Sequence, residues 1–121
     1  MSIRTYQDLE VWQKGMDLAE RCYRLTKNFP KDERYGLTSQ IRRAAVSVPA
    51  NIAEGYGREY RAEFIQFLRI SQGSLKELET HLLLSARVEL INKHETQPLL
   101  DICTSISRML RAFIRSLQAK G

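Results

Sequence analysis

The sequence is short of the features that mark most functional classes. No stretch of its 121 residues approaches the roughly 18 apolar residues of a membrane-spanning helix, so no membrane partner is expected. The N-terminal run MSIRTYQDLEVW lacks the apolar core and small-residue cleavage site of a secretory signal, and a cytoplasmic location is the expectation. The chain has only two cysteines, and Cys22 and Cys103 fall on apolar helical faces, where reduced, buried thiols are expected. There is no glycine-rich linker, low-complexity segment or short internal repeat, and nowhere does a strand-length alternation compete with helix. Acidic residues are missing altogether after Asp101. These absences leave one all-α domain over residues 1–121 with a single core, a size at which one core suffices.

What is there is helical periodicity. A first helix is predicted from about Asp8 to Asn28, with Thr5 or Asp8 as cap. Leu9, Trp12, Met16, Ala19, Tyr23 and Thr26 step by threes and fours as a heptad seam. Val11, Leu18, Cys22 and Leu25 widen it, so more than one neighbour is expected. Phe29-Pro30 closes the helix, because the residue before proline disfavours the helical region. Trp12 is read as core.

A second helix is predicted to open at Asp32 and end at Gly55–Gly57, with Gly55 suited to a left-handed cap. Leu37, Ile41, Ala44, Val48 and Ile52 form its apolar face, and Pro49 inside it predicts a kink. Alongside runs a polar stripe of Gln40, Arg43, Ser47, Asn51 and Glu54, beside alanines that permit close packing. A third helix is predicted from near Tyr60 to about Val88 on the steps Phe64, Leu68, Ser71, Leu75, Leu78 and Leu82, with a tight crossing at Gly73-Ser74. Thr96 with Pro98 opens a fourth, whose seam is Leu99, Cys103, Ile106, Leu110, Phe113 and Leu117. Four amphipathic helices on short connections predict an antiparallel up-down-up-down four-helix bundle.

The runs YGLTSQIRRAAVSVPANIAEGYGR and EFIQFLRISQGSLKELETHL, together with DLEVWQ near the start, resemble the four-helix-bundle proteins encoded in intervening sequences of bacterial 23S ribosomal RNA genes. The resemblance spans nearly the whole chain. It implies a left-handed antiparallel bundle, often assembled as a homopentamer, with no enzymatic activity attached. It also implies kinship with accessory proteins of diversity-generating retroelements, which bind nucleic acid and accompany a reverse transcriptase. Two positions depart from the family pattern. Tyr60 stands where a serine would form a capping box with Glu63. Glu89 stands where a glycine is common, so Asn92 is expected to supply the left-handed turn.

The chemistry available is limited. Glu77 and His81 share a helix face, with Glu79 nearby, but a di-metal bundle draws carboxylates and Glu-x-x-His from several helices. No metal, cofactor or catalytic residue is expected. The charge is +5 and the isoelectric point about 9.5, which permits an anionic partner without requiring one. Arg108, Arg111 and Arg115 form a basic stripe opposite the fourth seam, with no acid three or four residues away. Arg21, Arg24 and Lys31 near the end of helix one, and Arg42 on helix two, are further candidates for phosphate contact. The stripe from Gln40 to Glu54 reads equally as an intrachain network or a subunit interface, since buried polar groups need partners in either place. The function expected is a non-enzymatic, oligomeric nucleic-acid-binding protein, with RNA ahead of DNA. The alternative is a structural or protein-interaction ring that serves another protein.

Overall fold

Each of the predicted apolar stripes becomes one helix. The computed structural model describes residues 2–120 and contains α1 (Glu10–Thr26), α2 (Leu37–Gly57), α3 (Arg61–Arg87) and α4 (Lys93–Ala119). Among the described residues there is no strand. Each helix packs on its chain neighbours and α4 returns against α1, whereas among the described residues α1 and α3, like α2 and α4, have no Cα atoms within 8 Å of each other and stand on the diagonals. Residues 58–60 and 88–92 reverse the chain between long helices. The result is an all-α, up-down-up-down four-helix bundle, as the spacing predicts. Its axis is filled by Leu18, Ile41, Ile52, Leu75, Leu82 and Ile106, all fully buried. No described helix is long and apolar enough to cross a membrane.

The seam of α1 is rotated from the predicted heptad. Val11, Leu18 and Cys22 are buried with Leu9, Ala19 and Thr26, while Met16 and Tyr23 are exposed. A heptad seam serves one partner; α1 meets both α2 and α4, so its buried face centres between them. Before it, Thr5 and Asp8 form a capping box around one 3-10 turn: Gln7 N donates to Thr5 Oγ1 at 3.0 Å, and Thr5 N donates to Asp8 Oδ2 at 3.1 Å. Trp12 is half-buried, edge-on to Tyr6 with ring centroids 5.3 Å apart.

Helix α2 opens at Leu37, not Asp32. Lys31–Glu33 make only a 3-10 turn, and the Glu33 carboxylate accepts from Leu37 N at 3.1 Å in place of a cap residue's side chain. The helix runs unbroken through Pro49, which has no N–H to give the Ala45 carbonyl. Pro49 is buried against Gly15 of α1, where a Cβ would lie 3.3 Å from the proline Cβ. Gly55 is not a left-handed cap; it lies inside α2 and faces Phe64 and Phe67 of α3.

The tight α2–α3 crossing uses the serines rather than Gly73. Ser71 Oγ donates to the Val48 carbonyl at 2.9 Å, and Ser47 and Ser74 hydroxyls meet at 2.8 Å. Gly73 looks into open space. Tyr60 precedes α3 without a side-chain cap. The left-handed residue after α3 is Glu89 itself, with φ 66°, while Asn92 instead caps α4. Glu95 N donates to Asn92 Oδ1 at 2.9 Å and Asn92 N donates to Glu95 Oε1 at 3.2 Å. Helix α4 therefore starts before Thr96, and Pro98 falls inside it. Its predicted seam is buried, with Ile114 deeper than the half-buried Phe113.

Candidate nucleic-acid interface

The α2 stripe divides into a packed centre and a solvated rim. Asn51 Nδ2 donates to the Ser47 carbonyl at 2.8 Å and to Ser47 Oγ at 2.9 Å. Ser47 in turn meets Ser74, so both residues serve the α2–α3 contact within the chain. Gln40, Arg43 and Glu54 are exposed. Glu54 accepts from Arg58 Nη2 at 3.2 Å, a surface pair worth about 0–1 kcal/mol.

Arg42 is anchored rather than free. Its Nε–H donates to Thr26 Oγ1 at 2.8 Å and its Nη2 to the Tyr23 carbonyl at 3.3 Å. Its guanidinium lies 4.5 Å from the Tyr23 ring centroid, a cation–π contact. Thr26 Oγ1 also donates to the Cys22 carbonyl at 2.8 Å. These bonds satisfy acceptors at the C-terminal end of α1, where a cation is favoured by the helix dipole. Arg21, Arg24 and Lys31 are exposed, and Arg24 is ion-paired with Glu20.

On α4, Arg108, Arg111 and Arg115 are all exposed, on the side away from Ile106, Leu110 and Leu117. Among the described residues none of the three has an ion-pair partner. Because α2 and α4 stand on a diagonal of the bundle, the structure does not bring these arginines together with Arg42 and Arg43.

Sequence reasoning missed Arg34 and Tyr35. With Tyr23, Arg42 and Arg43 they line a shallow pocket of about 580 Å³ over the start of α2. A tyrosine beside an arginine in the turn before Gly36 was the available signal. The larger groove, about 1180 Å³, lies at the α3–α4 turn and includes Leu83, Leu84 and Leu100.

Glu77 and His81, which share a face of α3, have no ligand-bearing companions around them among the described residues. Glu77 is exposed, and Glu79 pairs with Lys76 at 3.3 Å. His81 Nε2 is buried without a hydrogen-bond partner among the described residues. Those residues contain no group of three His, Cys, Asp or Glu side chains placed to hold a metal ion. Burial pushes both thiols up, to about 12 for Cys22 and for Cys103, so they stay protonated and poorly nucleophilic at neutral pH.

Fold and surface together define a small antiparallel four-helix-bundle protein with a solvated arginine face. The chain belongs to the 23S rRNA-intervening sequence protein family, which it matches over residues 7–112. It is similar to a protein of unknown function from the S23 ribosomal protein family of Bacteroides thetaiotaomicron, known from a crystal structure. The TM-score is 0.77 at 29% sequence identity, over 86% of this chain and 97% of that one. No curated protein matches the chain.

Proposed function

We propose that this chain is a non-enzymatic, cytoplasmic homo-oligomer that binds nucleic acid, RNA ahead of DNA, through the α4 arginine face. The observation that carries this reading is the exposure of Arg108, Arg111 and Arg115 without an ion-pair partner among the described residues. Their field is spent on solvent, and phosphates are the anions that such spaced guanidiniums meet best. Three charges on one subunit bind weakly. A ring of five, as the family resemblance implies, repeats them around one assembly and multiplies the affinity without any new contact. The exposed Leu83, Leu84 and Val88 at the end of α3 supply apolar surface for such an assembly.

The experiment is a filter-binding titration of generic RNA at two salt concentrations, with light scattering on the same samples. The parent is expected to bind as an oligomer, with affinity falling steeply as salt rises. Reversal of Arg108, Arg111 and Arg115 to glutamate is expected to abolish the binding of duplex RNA and to leave the assembly mass unchanged. Equal affinity in this variant removes α4 from the interface and turns attention to Arg21, Arg24 and Lys31. A subunit-sized mass at micromolar concentration overturns the oligomer.

The groove at the α3–α4 turn supports a second reading, a ring that docks another protein such as a reverse transcriptase. No RNA binding by the parent even at low salt favours this reading.

A further inference from the structure

We propose that the pocket over the start of α2 is a nucleotide-binding site, taking a phosphate on its arginines and an unstacked base on Tyr35. This rests on the nucleic-acid reading for the class of ligand, but on a different helix and different side chains.

The pocket is built from α1, the turn before α2, and the first turns of α2. Arg34, Arg42 and Arg43 line it, and among the described residues no carboxylate does. Three guanidiniums sharing a concavity repel one another unless an anion sits between them. Arg42 is held in place by Thr26, the Tyr23 carbonyl and the Tyr23 ring. Two of its five N–H donors are used there; the others remain for a ligand. Arg34 and Arg43 are exposed and have no ion-pair partner among the described residues. The hydroxyl-bearing Thr38 and Ser39 complete the wall; the first-turn amide of Leu37 is already taken by the Glu33 carboxylate, so the phosphate is left to the arginines and these hydroxyls.

The second feature is aromatic. Tyr35 is 88% exposed, the most exposed large hydrophobic side chain among the described residues, and it stands at the rim of the pocket. Arg34 lies 5.7 Å from its ring centroid, at the outer limit of a cation–π contact, so the ring is left largely open. A flat platform beside a cluster of phosphate donors is the combination by which proteins hold single-stranded nucleic acid. About 580 Å³ suits one nucleotide rather than a duplex, within the common range of ligand pockets. A base within a duplex is already stacked on its neighbours, so an unpaired base is the better partner for the ring.

The test compares three probes on one protein: a labelled single-stranded oligouridine, a blunt RNA duplex, and free uridine monophosphate as competitor. Tyr35→Ala is expected to weaken single-strand binding roughly tenfold or more, with duplex binding and melting temperature unchanged. Tyr35→Phe, which keeps the ring, retains parental affinity. Arg34→Ala weakens the strand and the mononucleotide alike. Competition by millimolar uridine monophosphate is the expected result, and strand binding that it does not displace overturns a pocket for a single nucleotide. Parental single-strand affinity in Tyr35→Ala overturns the proposal. Loss of duplex binding in the Arg108, Arg111 and Arg115 reversal alongside an unaffected Tyr35→Ala places the failure here alone, while the opposite pattern places it in the α4 reading.

Discussion

Gly55 and Phe67 meet so closely that a Cβ on the glycine would lie 2.6 Å from Cβ of the phenylalanine. The same atom would lie 3.0 Å from Cδ1 of Phe64 and 3.3 Å from the Phe64 carbonyl oxygen. The contact fixes how near the end of α2 approaches the start of α3. Alanine at 55 gains about 1 kcal/mol of helix propensity but overpacks against an atom next to the backbone, at about 1–3 kcal/mol. The Gly55→Ala protein is expected to melt lower than the parent. Gly73→Ala is the control of opposite sign, because nothing lies within 4 Å of its Cβ. That variant is expected to gain about 0.5–1 kcal/mol. Urea unfolding of both checks the pair, and equal shifts in one direction contradict the packing.

Glu89 holds a left-handed backbone at φ 66°, which costs an L-residue with a Cβ roughly 1–2 kcal/mol. Its neighbour Leu90 N donates to the Ser85 carbonyl at 2.9 Å, closing the end of α3. Glu89→Gly removes the steric cost and adds some chain entropy to the unfolded state. A net stabilisation of about 1 kcal/mol is expected, read as a higher urea midpoint with unchanged slope.

The polar side chains between α2 and α3 are unequal. Ser71 is fully buried, and its bond to the Val48 carbonyl joins one helix to the backbone of the other. Ser71→Ala is expected to cost about 1 kcal/mol. Arg43 is exposed and makes no hydrogen bond among the described residues, so Arg43→Ala is expected to stay within about 0.5 kcal/mol of the parent. A thermal melt in which Arg43→Ala is the worse of the two sinks this ranking.

The two thiols make stability depend on alkaline pH. Burial raises each from the ordinary 9.0 to about 12, so above pH 9 the unfolded chain releases protons that the folded chain keeps. Fewer protons bound in the unfolded state means stability falls as pH rises. The contribution is complete below about pH 9 and is lost progressively towards pH 12. Urea midpoints at neutral and alkaline pH are expected to converge in a Cys22→Ala, Cys103→Ala variant relative to the parent. Native protein is also expected to resist a thiol reagent that reacts at once in urea.

Much of this molecule is written in its periodicity. The steps through Leu68, Leu75 and Leu82, and through Leu99, Ile106 and Leu110, place those residues on one face of a helix whatever its neighbours are, and both sets are buried. The α4 arginines follow from the same rule, since a residue opposite a buried seam is exposed. Gly55 reads in the sequence as a helix end because glycine before a loop is a common one, and only the arrival of Phe67 shows that it is there for close approach.

The sequence by itself determined four amphipathic helices, their order, their short connections and the exposure of Arg108, Arg111 and Arg115. The period of a helix sets the angle of each side chain about its own axis, and that requires no knowledge of a partner. Tertiary structure alone decided how far α1 turns between α2 and α4, that Arg42 is tied to Thr26 and Tyr23, and that Arg34 and Tyr35 join them around one pocket. Those relationships depend on where two axes lie relative to each other. That placement is set by the summed packing of all four helices, and no local spacing encodes it.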